Sequence, residues 1–249
     1  MMKWNFIYSG FQTGKFNMDT DIRLAMNCGE DEAFFRLYRW NPYCISLGAN
    51  QSIKDIDEAV AKADNIDIAR RPTGGRAILH AEELTYSVVM PLNQGLSARE
   101  IYTKISLALV NGLRRYDSGL AGAELENVQP NFPDLLKKPS GMLCFASTAK
   151  SEVKYDGKKL IGSAQRKMDK VVLQHGSILV GTYHRKLPEY LSDKSNLAIL
   201  NHELEAKTTE IETILGKPVD YDRLAENLVE GFEDMWEVEF EEKPEMSFQ

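Results

Sequence analysis

The sequence has few of the residues that metal sites and disulfide scaffolds need: three cysteines (Cys28, Cys44 and Cys144) and four histidines among 249 residues. An odd cysteine count without a Cys-x-x-Cys pair argues against a disulfide framework, and no cluster of His, Cys or carboxylate residues has metal-ligand spacing. No segment approaches the roughly 18 apolar residues of a membrane span. We therefore expect a cytoplasmic protein without a metal site.

The charge balance excludes a second group of functions. The chain carries 30 Lys and Arg residues against 37 Asp and Glu, a net charge of −7. This balance argues against a surface built to bind nucleic acid or an anionic membrane, although it leaves room for a local basic cleft. No repeat and no Pro/Gly/Ser linker divides the chain, so we expect one domain over residues 1–249.

Apolar residues at helical spacing predict several helices. The clearest is 98–115, in which Ile101, Ile105 and Leu109 recur every four residues. Another is predicted at 18–27, with Asn17 as its N-cap. Further helical segments are predicted at 55–63, 186–191 and Tyr221–Trp236.

Short runs rich in β-branched and aromatic residues predict strands. The segments 33–38 and 43–47, around the turn Trp40-Asn41-Pro42, are expected to form a hairpin-like pair. Other strands are predicted at 66–69, 84–90, 151–155, 158–161, 171–174, 177–180 and 237–240. Strands and helices without regular alternation favour an α+β fold.

The first candidate site is the segment Arg70-Arg71-Pro72-Thr73-Gly74-Gly75-Arg76-Ala77-Ile78-Leu79-His80. Glycines allow backbone N–H groups to approach a ligand, and arginines bind phosphate or carboxylate through several donors. A tight Gly-Gly turn with solvated arginines explains the same residues about equally well. The three arginines favour a ligand site only slightly. The segment matches neither a Walker loop nor a dinucleotide fingerprint.

A second candidate site comprises 157–165 and Gln174-His175-Gly176-Ser177. Lys159 precedes the small residues Gly162, Ser163 and Ala164, so a strand here would leave room for a substrate chain beside a cation. From composition alone, a solvated turn is the better explanation for Lys159, and a structural role is the better one for His175.

Cys144 is the third candidate. It follows a Pro-rich segment at 129–139 that is predicted to be an exposed loop, whereas Cys28 and Cys44 look like small core residues. Partial exposure and a nearby cation would favour a nucleophilic thiolate, although a lone cysteine is more often structural.

The segments 70–80, 157–164 and Gln174-His175-Gly176-Ser177, in this order, together with Phe16-Asn17-Met18-Asp19 and Trp40-Asn41-Pro42, resemble the biotin/lipoate protein ligase and octanoyltransferase superfamily. The resemblance covers roughly residues 4–185 and leaves 186–249 as an extension. It implies an α+β domain with a mixed, largely antiparallel sheet flanked by helices. It also implies that the arginine-glycine loop of the first segment and the Gly-Ser-Ala strand enclose a lipoyl or octanoyl chain, and that Lys159 contacts the acyl carbonyl or the adenylate.

The superfamily contains two chemistries. Ligases use ATP, with Mg²⁺, to convert lipoate to lipoyl-AMP, whereas octanoyltransferases accept octanoate from acyl carrier protein through a cysteine thioester. The sequence is similar to the Bacillus-type cysteine octanoyltransferases: Arg76 stands where ligases have a third glycine, and Cys144 lies before the Gly-x-Lys strand. The chain length also leaves little room for the accessory domain of classical ligases.

The resemblance therefore implies an octanoyltransferase that requires no cofactor. Cys144 and Lys159 would be catalytic, and the substrate would contact Arg70, Arg71, Gly74, Gly75, Arg76, His80, Gly162, Ser163, Ala164, His175 and Gly176. Its partners would be octanoyl-acyl carrier protein and a lipoyl domain, either glycine-cleavage H protein or a 2-oxoacid dehydrogenase E2. An ATP-dependent lipoate ligase, a biotin ligase and a non-catalytic lipoyl-binding protein are the alternatives.

Because both partners are acidic, a local positive patch is expected on the surface. Its candidate residues are Arg70, Arg71, Arg76, Lys158 and Lys159.

Overall fold

The computed structural model describes residues 2–93, 95–126 and 151–242, which form two β-sheets with helices against them. The strands are β1 Lys3–Gln12, β2 Glu32–Trp40, β3 Cys44–Leu47, β4 Asp67–Arg70, β5 Ile78–His80, β6 Glu83–Pro91, β7 Glu124–Leu125, β8 Val153–Tyr155, β9 Lys158–Met168, β10 Val171–Leu179 and β11 Phe240–Glu242. The helices are α1 Gly14–Asn27, α2 Glu58–Ala63, α3 Ala98–Tyr116, α4 Leu197–Lys207, α5 Ile211–Leu215 and α6 Tyr221–Trp236. Short 3₁₀ segments cover Ile53–Asp55, Ser118–Leu120 and Tyr183–Tyr190.

The larger sheet has eight strands in the order β11-β1-β2-β6-β10-β9-β8-β7. β1 pairs in parallel with β11 and β2, and the remaining pairs from β2 to β7 are antiparallel. The smaller sheet has the order β4-β3-β5. The expected α+β fold with a mixed, largely antiparallel sheet is confirmed.

The main core lies between the larger sheet and the helices α3 and α6. α3 begins at a capping box made by Ser97 and Glu100, and it buries Ile101, Ile105 and Leu109 against the sheet. α6 contributes its own apolar face to the same cluster. Both helices were predicted from their periodicity, because an amphipathic stripe must be buried wherever the chain places it.

The opposite face of the larger sheet carries α1. Side chains alternate along a strand, so Val88 of β6 enters the main core while its neighbour Val89 packs beside Leu24 of α1. Ser87 and Thr85 point to the α1 side as well and are buried. This polar strip on a buried face positions the site described below.

Two local predictions are wrong. β2 and β3 do not form a hairpin, because the chain leaves the larger sheet at Trp40 and enters the smaller one at Cys44. The first helix is capped by Thr13 rather than Asn17. Asn17 lies inside the helix, where its side-chain oxygen accepts a hydrogen bond from Arg36 at 2.7 Å.

The strands of the second motif are longer than predicted. β9 and β10 are 11 and 9 residues long and run through Gly162 and Gly176, whereas the sequence predicted strands at 158–161, 171–174 and 177–180. A Cβ on Gly176 would lie 2.4 Å from the carbonyl oxygen of Gly162, so the two strands require glycine at this crossing. β1, β5, β7, α4 and α5 were not predicted, and the last strand begins at Phe240 rather than at 237.

Candidate active site

A narrow cavity lies where the two sheets and α1 meet. It is lined by Met18, Tyr38, Trp40, Ser46, Arg71, Ile78, His80, Thr85, Gly162, Ser163, Ala164, His175, Gly176 and Ser177. The smaller sheet supplies Ser46, Ile78 and His80, and most of the remainder comes from the larger sheet. The lining combines apolar side chains with a few placed polar groups, a composition typical of small-molecule sites.

Seven of the residues predicted from the sequence line this cavity. They are Arg71, His80, Gly162, Ser163, Ala164, His175 and Gly176. Ile78 and Ser177 lie within the two candidate segments but were not chosen individually as substrate contacts. Ser177 follows His175 by two residues on one strand, so strand alternation places both on the same face. Met18, Tyr38, Ser46 and Thr85 come from other segments, and nothing local marked them as cavity residues.

Asp21 is the centre of a buried polar network beneath the cavity. Its carboxylate accepts hydrogen bonds from Arg36 at 3.0 Å, Ser87 at 2.8 Å and Tyr38 at 3.1 Å, and it lies 3.2 Å from His175 Nδ1. Burial raises the pKa of Asp21, but the hydrogen bond from His175 and the charge of Arg36 outweigh burial and bring this pKa below its ordinary value. Asp21 is therefore ionised at neutral pH.

His175 connects this network to the arginine-glycine loop. Its Nε2 lies 2.7 Å from the hydroxyl of Thr73. Burial lowers the pKa of His175 despite the neighbouring carboxylate, so the ring is neutral at pH 7. We assign the ring proton to Nδ1, since the ionised Asp21 can only accept, and the Thr73 hydroxyl then donates to Nε2. The chain Asp21–His175–Thr73 fixes the loop to β10.

His80 lines the cavity on the side of the smaller sheet. Its Nδ1 lies 2.8 Å from Glu83, its Nε2 lies 2.7 Å from the Ser46 hydroxyl, and the Trp40 ring stacks on it at 4.1 Å. Trp40 Nε1 in turn donates to Thr85 at 2.7 Å. Burial raises the pKa of Glu83, but the charge and hydrogen bond of His80 outweigh burial and leave this pKa lowered. The side chain of His80 is thereby immobilised in one orientation.

Arg71 shapes the arginine-glycine loop from inside. It is buried, and its guanidinium donates to the carbonyl oxygens of Ser46 at 2.9 Å, Gly74 at 3.2 Å and Arg76 at 2.6 Å. Gly75 adopts a φ of +101°, which favours glycine. Arg71 therefore shapes the loop and also lines the cavity, a combination that the sequence did not predict.

The other substrate contacts predicted in the arginine-glycine loop, Arg70, Gly74, Gly75 and Arg76, do not line the cavity. Arg70 is exposed and donates to the carbonyl oxygens of Gly48, Ala49 and Gln51, closing the turn after β3. Arg76 is half-buried, and Gly74 and Gly75 are exposed.

The expected positive surface patch needs correction. Arg71 and Lys159 are buried, at 3% and 1% exposure, because one binds carbonyl groups of the loop and the other binds a carboxylate. Neither can present charge to a partner protein. Arg70, Arg76 and Lys158 are the remaining candidates, and of these Arg70 and Lys158 are exposed.

Lys159 is brought to the cavity side by a β-bulge. In the pairing of β8 with β9, Lys154 lies opposite Lys159 while Val153 lies opposite Ile161, so Leu160 is an extra residue. Regular alternation would place Lys159 and Gly162 on opposite faces, and the extra residue puts them on the same face. The solvated-turn explanation for Lys159 is wrong, since its ammonium lies 3.0 Å from Glu152 inside the protein.

Two of the three cysteines are poor nucleophiles. Burial raises the pKa of Cys28 to about 11, and it raises the pKa of the fully buried Cys44 well above its ordinary value. Both thiols stay protonated at neutral pH, in line with their expected structural roles. Cys144 lies outside the described residues.

Neither a metal centre nor a membrane-spanning helix is found in the part of the chain that the structure describes. Within residues 2–93, 95–126 and 151–242, no three His, Cys, Asp or Glu side chains are grouped to hold a metal ion. No helix in these ranges is long and apolar enough to cross a membrane.

Comparison with known proteins identifies the family. The chain is 36% identical over 250 residues to octanoyltransferase LipM of Clostridioides difficile, covering 97% of this chain and 90% of that protein. It is 37% identical over 243 residues to octanoyltransferase LipM of Kyrpidia tusciae, covering 93% and 86%. A crystal structure of lipoate-protein ligase A bound with ATP has the same fold, with a TM-score of 0.77 at 20% identity over 99% of this chain and 90% of that one. Residues 13–233 match the lipoyl protein ligase A/B catalytic domain, and the chain belongs to that family.

Proposed function

We propose that this chain is an octanoyltransferase of protein lipoylation, which moves an octanoyl group from acyl carrier protein to a lysine of a lipoyl domain. The observation that carries the proposal is the cavity between the sheets, because Met18, Trp40 and Ile78 give it an apolar wall while Gly162 leaves space at β9. An apolar wall of this kind favours an acyl chain, because the methylene groups of the chain are removed from water against it. Its relatives over nearly the whole chain are octanoyltransferases.

The transfer proceeds in two steps. The Cys144 thiolate attacks the octanoyl thioester carbonyl, and the carrier's thiol leaves to give an octanoyl-enzyme thioester. The ε-amine of the acceptor lysine then attacks this thioester, forming an amide and releasing Cys144. Lys159 orients the carbonyl and stabilises the thiolate by its charge. No cofactor is required.

Two arguments support Cys144 as the nucleophile. The other two cysteines are poor nucleophiles, and the chain after Cys144 is long enough for it to reach Lys159. Cys28 and Cys44 have raised pKa values, which leaves Cys144 among the three cysteines. Ser151 is the first described residue after Cys144, and its N–H donates to the Glu126 carbonyl at 2.8 Å. The next residue, Glu152, forms the ion pair with Lys159. Six residues lie between Cys144 and Ser151, and an extended chain spans about 3.4 Å per residue, so the chain length allows Cys144 to reach Lys159.

The other predicted contacts follow from the geometry of the cavity. The lining residues His80, Ser163, Ala164, His175 and Gly176 surround the acyl chain, with Arg71 shaping the loop above it. We also propose that residues 1–249 act as one catalytic domain, since α6, from the extension, packs against α3 in the main core. The acceptor is a lipoyl domain of glycine-cleavage H protein or of a 2-oxoacid dehydrogenase E2.

The decisive experiment mixes enzyme, apo lipoyl domain and octanoyl-acyl carrier protein without ATP and measures the acceptor by mass spectrometry. We expect the mass of one octanoyl group on the acceptor. Modification that appears only with ATP and free octanoate or lipoate would show a ligase instead.

The nucleophile is tested in the same assay without acceptor. Cys144→Ala abolishes the octanoyl-enzyme adduct, whereas Cys28→Ala and Cys44→Ala, the matched controls, retain it. An adduct on the Cys144→Ala protein would exclude the thioester step through this residue.

A further inference from the structure

Glu152 is a buried carboxylate beside Lys159 that sequence reasoning did not select. It immediately precedes β8, is 3% exposed, and places Oε2 3.0 Å from Lys159 Nζ. Burying two charges costs several kcal/mol per ion, which the pair offsets only when its geometry is good and its remaining atoms are hydrogen-bonded. A pair of this kind is weak evidence for stability by itself, so its second contact matters.

The other oxygen of the same carboxylate points to the cavity wall. Glu152 Oε1 accepts a hydrogen bond from the backbone N–H of Ser163 at 3.1 Å, and Ser163 lines the cavity. One carboxylate therefore joins the Lys159 ammonium to the part of β9 that borders the cavity. The β-bulge at Leu160 makes this bridge geometrically possible, since it puts Lys159 on the face of Glu152 and Gly162.

The backbone on both sides of the pair is fixed as well. The Glu152 carbonyl accepts from the N–H of Glu126 at 2.8 Å, and the Lys159 carbonyl accepts from the N–H of Thr209 at 3.0 Å. Both charged side chains thus extend from backbone segments that are held by other strands and loops. A side chain oriented in this way loses little entropy when a substrate binds.

We propose that Glu152 is the positioning residue for Lys159 in acyl transfer: it orients the ammonium through the ion pair and couples it to the backbone of Ser163, which lines the cavity. This inference rests on the proposed function, in which Lys159 contacts the reacting carbonyl. Removing the carboxylate takes away the ion pair at 3.0 Å that orients the ammonium. The acyl chain still binds, because Glu152 is not among the residues that line the cavity.

The test measures octanoyl-enzyme formation in single turnovers, as a function of octanoyl-acyl carrier protein concentration. Glu152→Gln keeps the shape of the side chain and removes its charge. We expect the limiting rate to fall roughly 10- to 100-fold while the half-saturating concentration changes by less than about twofold. Glu124→Gln is the matched control, because Glu124 also faces a strand lysine, at 3.6 Å from Lys154, but is exposed.

A double-variant cycle separates positioning from a purely structural role. Lys159→Met lowers the limiting rate, and adding Glu152→Gln to it causes no further loss, because Glu152 acts through Lys159. A Glu152→Gln rate within about twofold of wild type, or losses that multiply in the double variant, would overturn the inference.

If Glu152→Gln does not fold, Glu152→Asp replaces it, since aspartate keeps the charge but withdraws it by one methylene. A reduced limiting rate is again expected, and an unchanged rate overturns the inference. Wild-type enzyme that forms no octanoyl adduct would instead refute the proposed function itself, so the two failures are distinguishable.

Discussion

His184 shows how burial sets the charge state of a single residue in this protein. Its Nδ1 lies 3.2 Å from the Gly181 carbonyl oxygen, and its Nε2 lies 3.2 Å from the Thr208 hydroxyl. Burial lowers the pKa of His184 to about 4, a shift that the hydrogen bond to Gly181 opposes only in part. The unfolded chain binds a proton near pH 6.5 while the folded protein does not, so folding becomes less favourable as the pH falls through this window.

This residue predicts a measurable pH dependence of stability. The free energy of unfolding should fall by about 3 kcal/mol between pH 6.5 and 4 because of His184 alone. His175, whose pKa is also lowered, adds to the same trend. The lowered pKa values of Asp21 and Glu83 act mainly below this window, where those carboxylates become protonated.

The measurement is urea unfolding at a series of pH values. His184→Gln should give a shallower dependence than wild type between pH 6.5 and 4, whatever its stability at pH 7. His202→Gln is the control, since His202 is exposed. Equal slopes for wild type and His184→Gln would contradict the explanation.

At the scale of elements, α3 and α6 approach each other unusually closely. A Cβ built on Gly231 of α6 would lie 2.4 Å from the backbone nitrogen of Gly112 and 2.7 Å from the carbonyl oxygen of Ala108 in α3. No real Cβ contact is that short, and the atoms it would meet are backbone atoms that cannot rotate away. The two glycines therefore set the distance between these helices.

Gly231→Ala should destabilise the protein by about 1–3 kcal/mol, even though alanine is the better helix former. Urea unfolding measures the change. Glu226→Ala, on the exposed side of the same helix, should stay within about 0.5 kcal/mol of wild type. A Gly231→Ala protein as stable as wild type would mean that the helices separate without cost.

The elements also show where sequence patterns succeed. α3 and α6 were predicted because their periodicity is a property of the segment itself, independent of its neighbours. The bulge in β9 was not, because an extra residue becomes visible only against the partner strand β8. The face on which Lys159 lies therefore could not be read from alternation within its own segment.

At the scale of the whole molecule, the site exists only because the two sheets meet. Trp40 comes from the larger sheet and His80 from the smaller one, and their rings stack at 4.1 Å. A ligand in the cavity contacts both sheets and so binds the folded protein alone. Such a ligand stabilises the fold by mass action.

Octanoate should therefore raise the thermal midpoint of unfolding, with a stabilisation of about 2.7 kcal/mol at 100 times its dissociation constant. Thermal scans with increasing octanoate measure this, and acetate, which has the carboxylate without the chain, should have no comparable effect. Ala164→Leu, which places a larger side chain in the cavity, should abolish the octanoate shift. Equal shifts with octanoate and acetate would contradict acyl-chain binding.

By itself, the sequence determined the class of fold, the family and seven of the cavity-lining residues, because helical periodicity and motifs such as Gln-His-Gly-Ser lie within short stretches of chain. Only the tertiary structure decided which partners those residues have. Asp21 meets His175 across 154 positions, and β2 and β3 separate into different sheets although they adjoin in sequence. The physical reason is that hydrogen bonds and ion pairs act over a few ångströms, and no local pattern records which distant segments folding brings within that range.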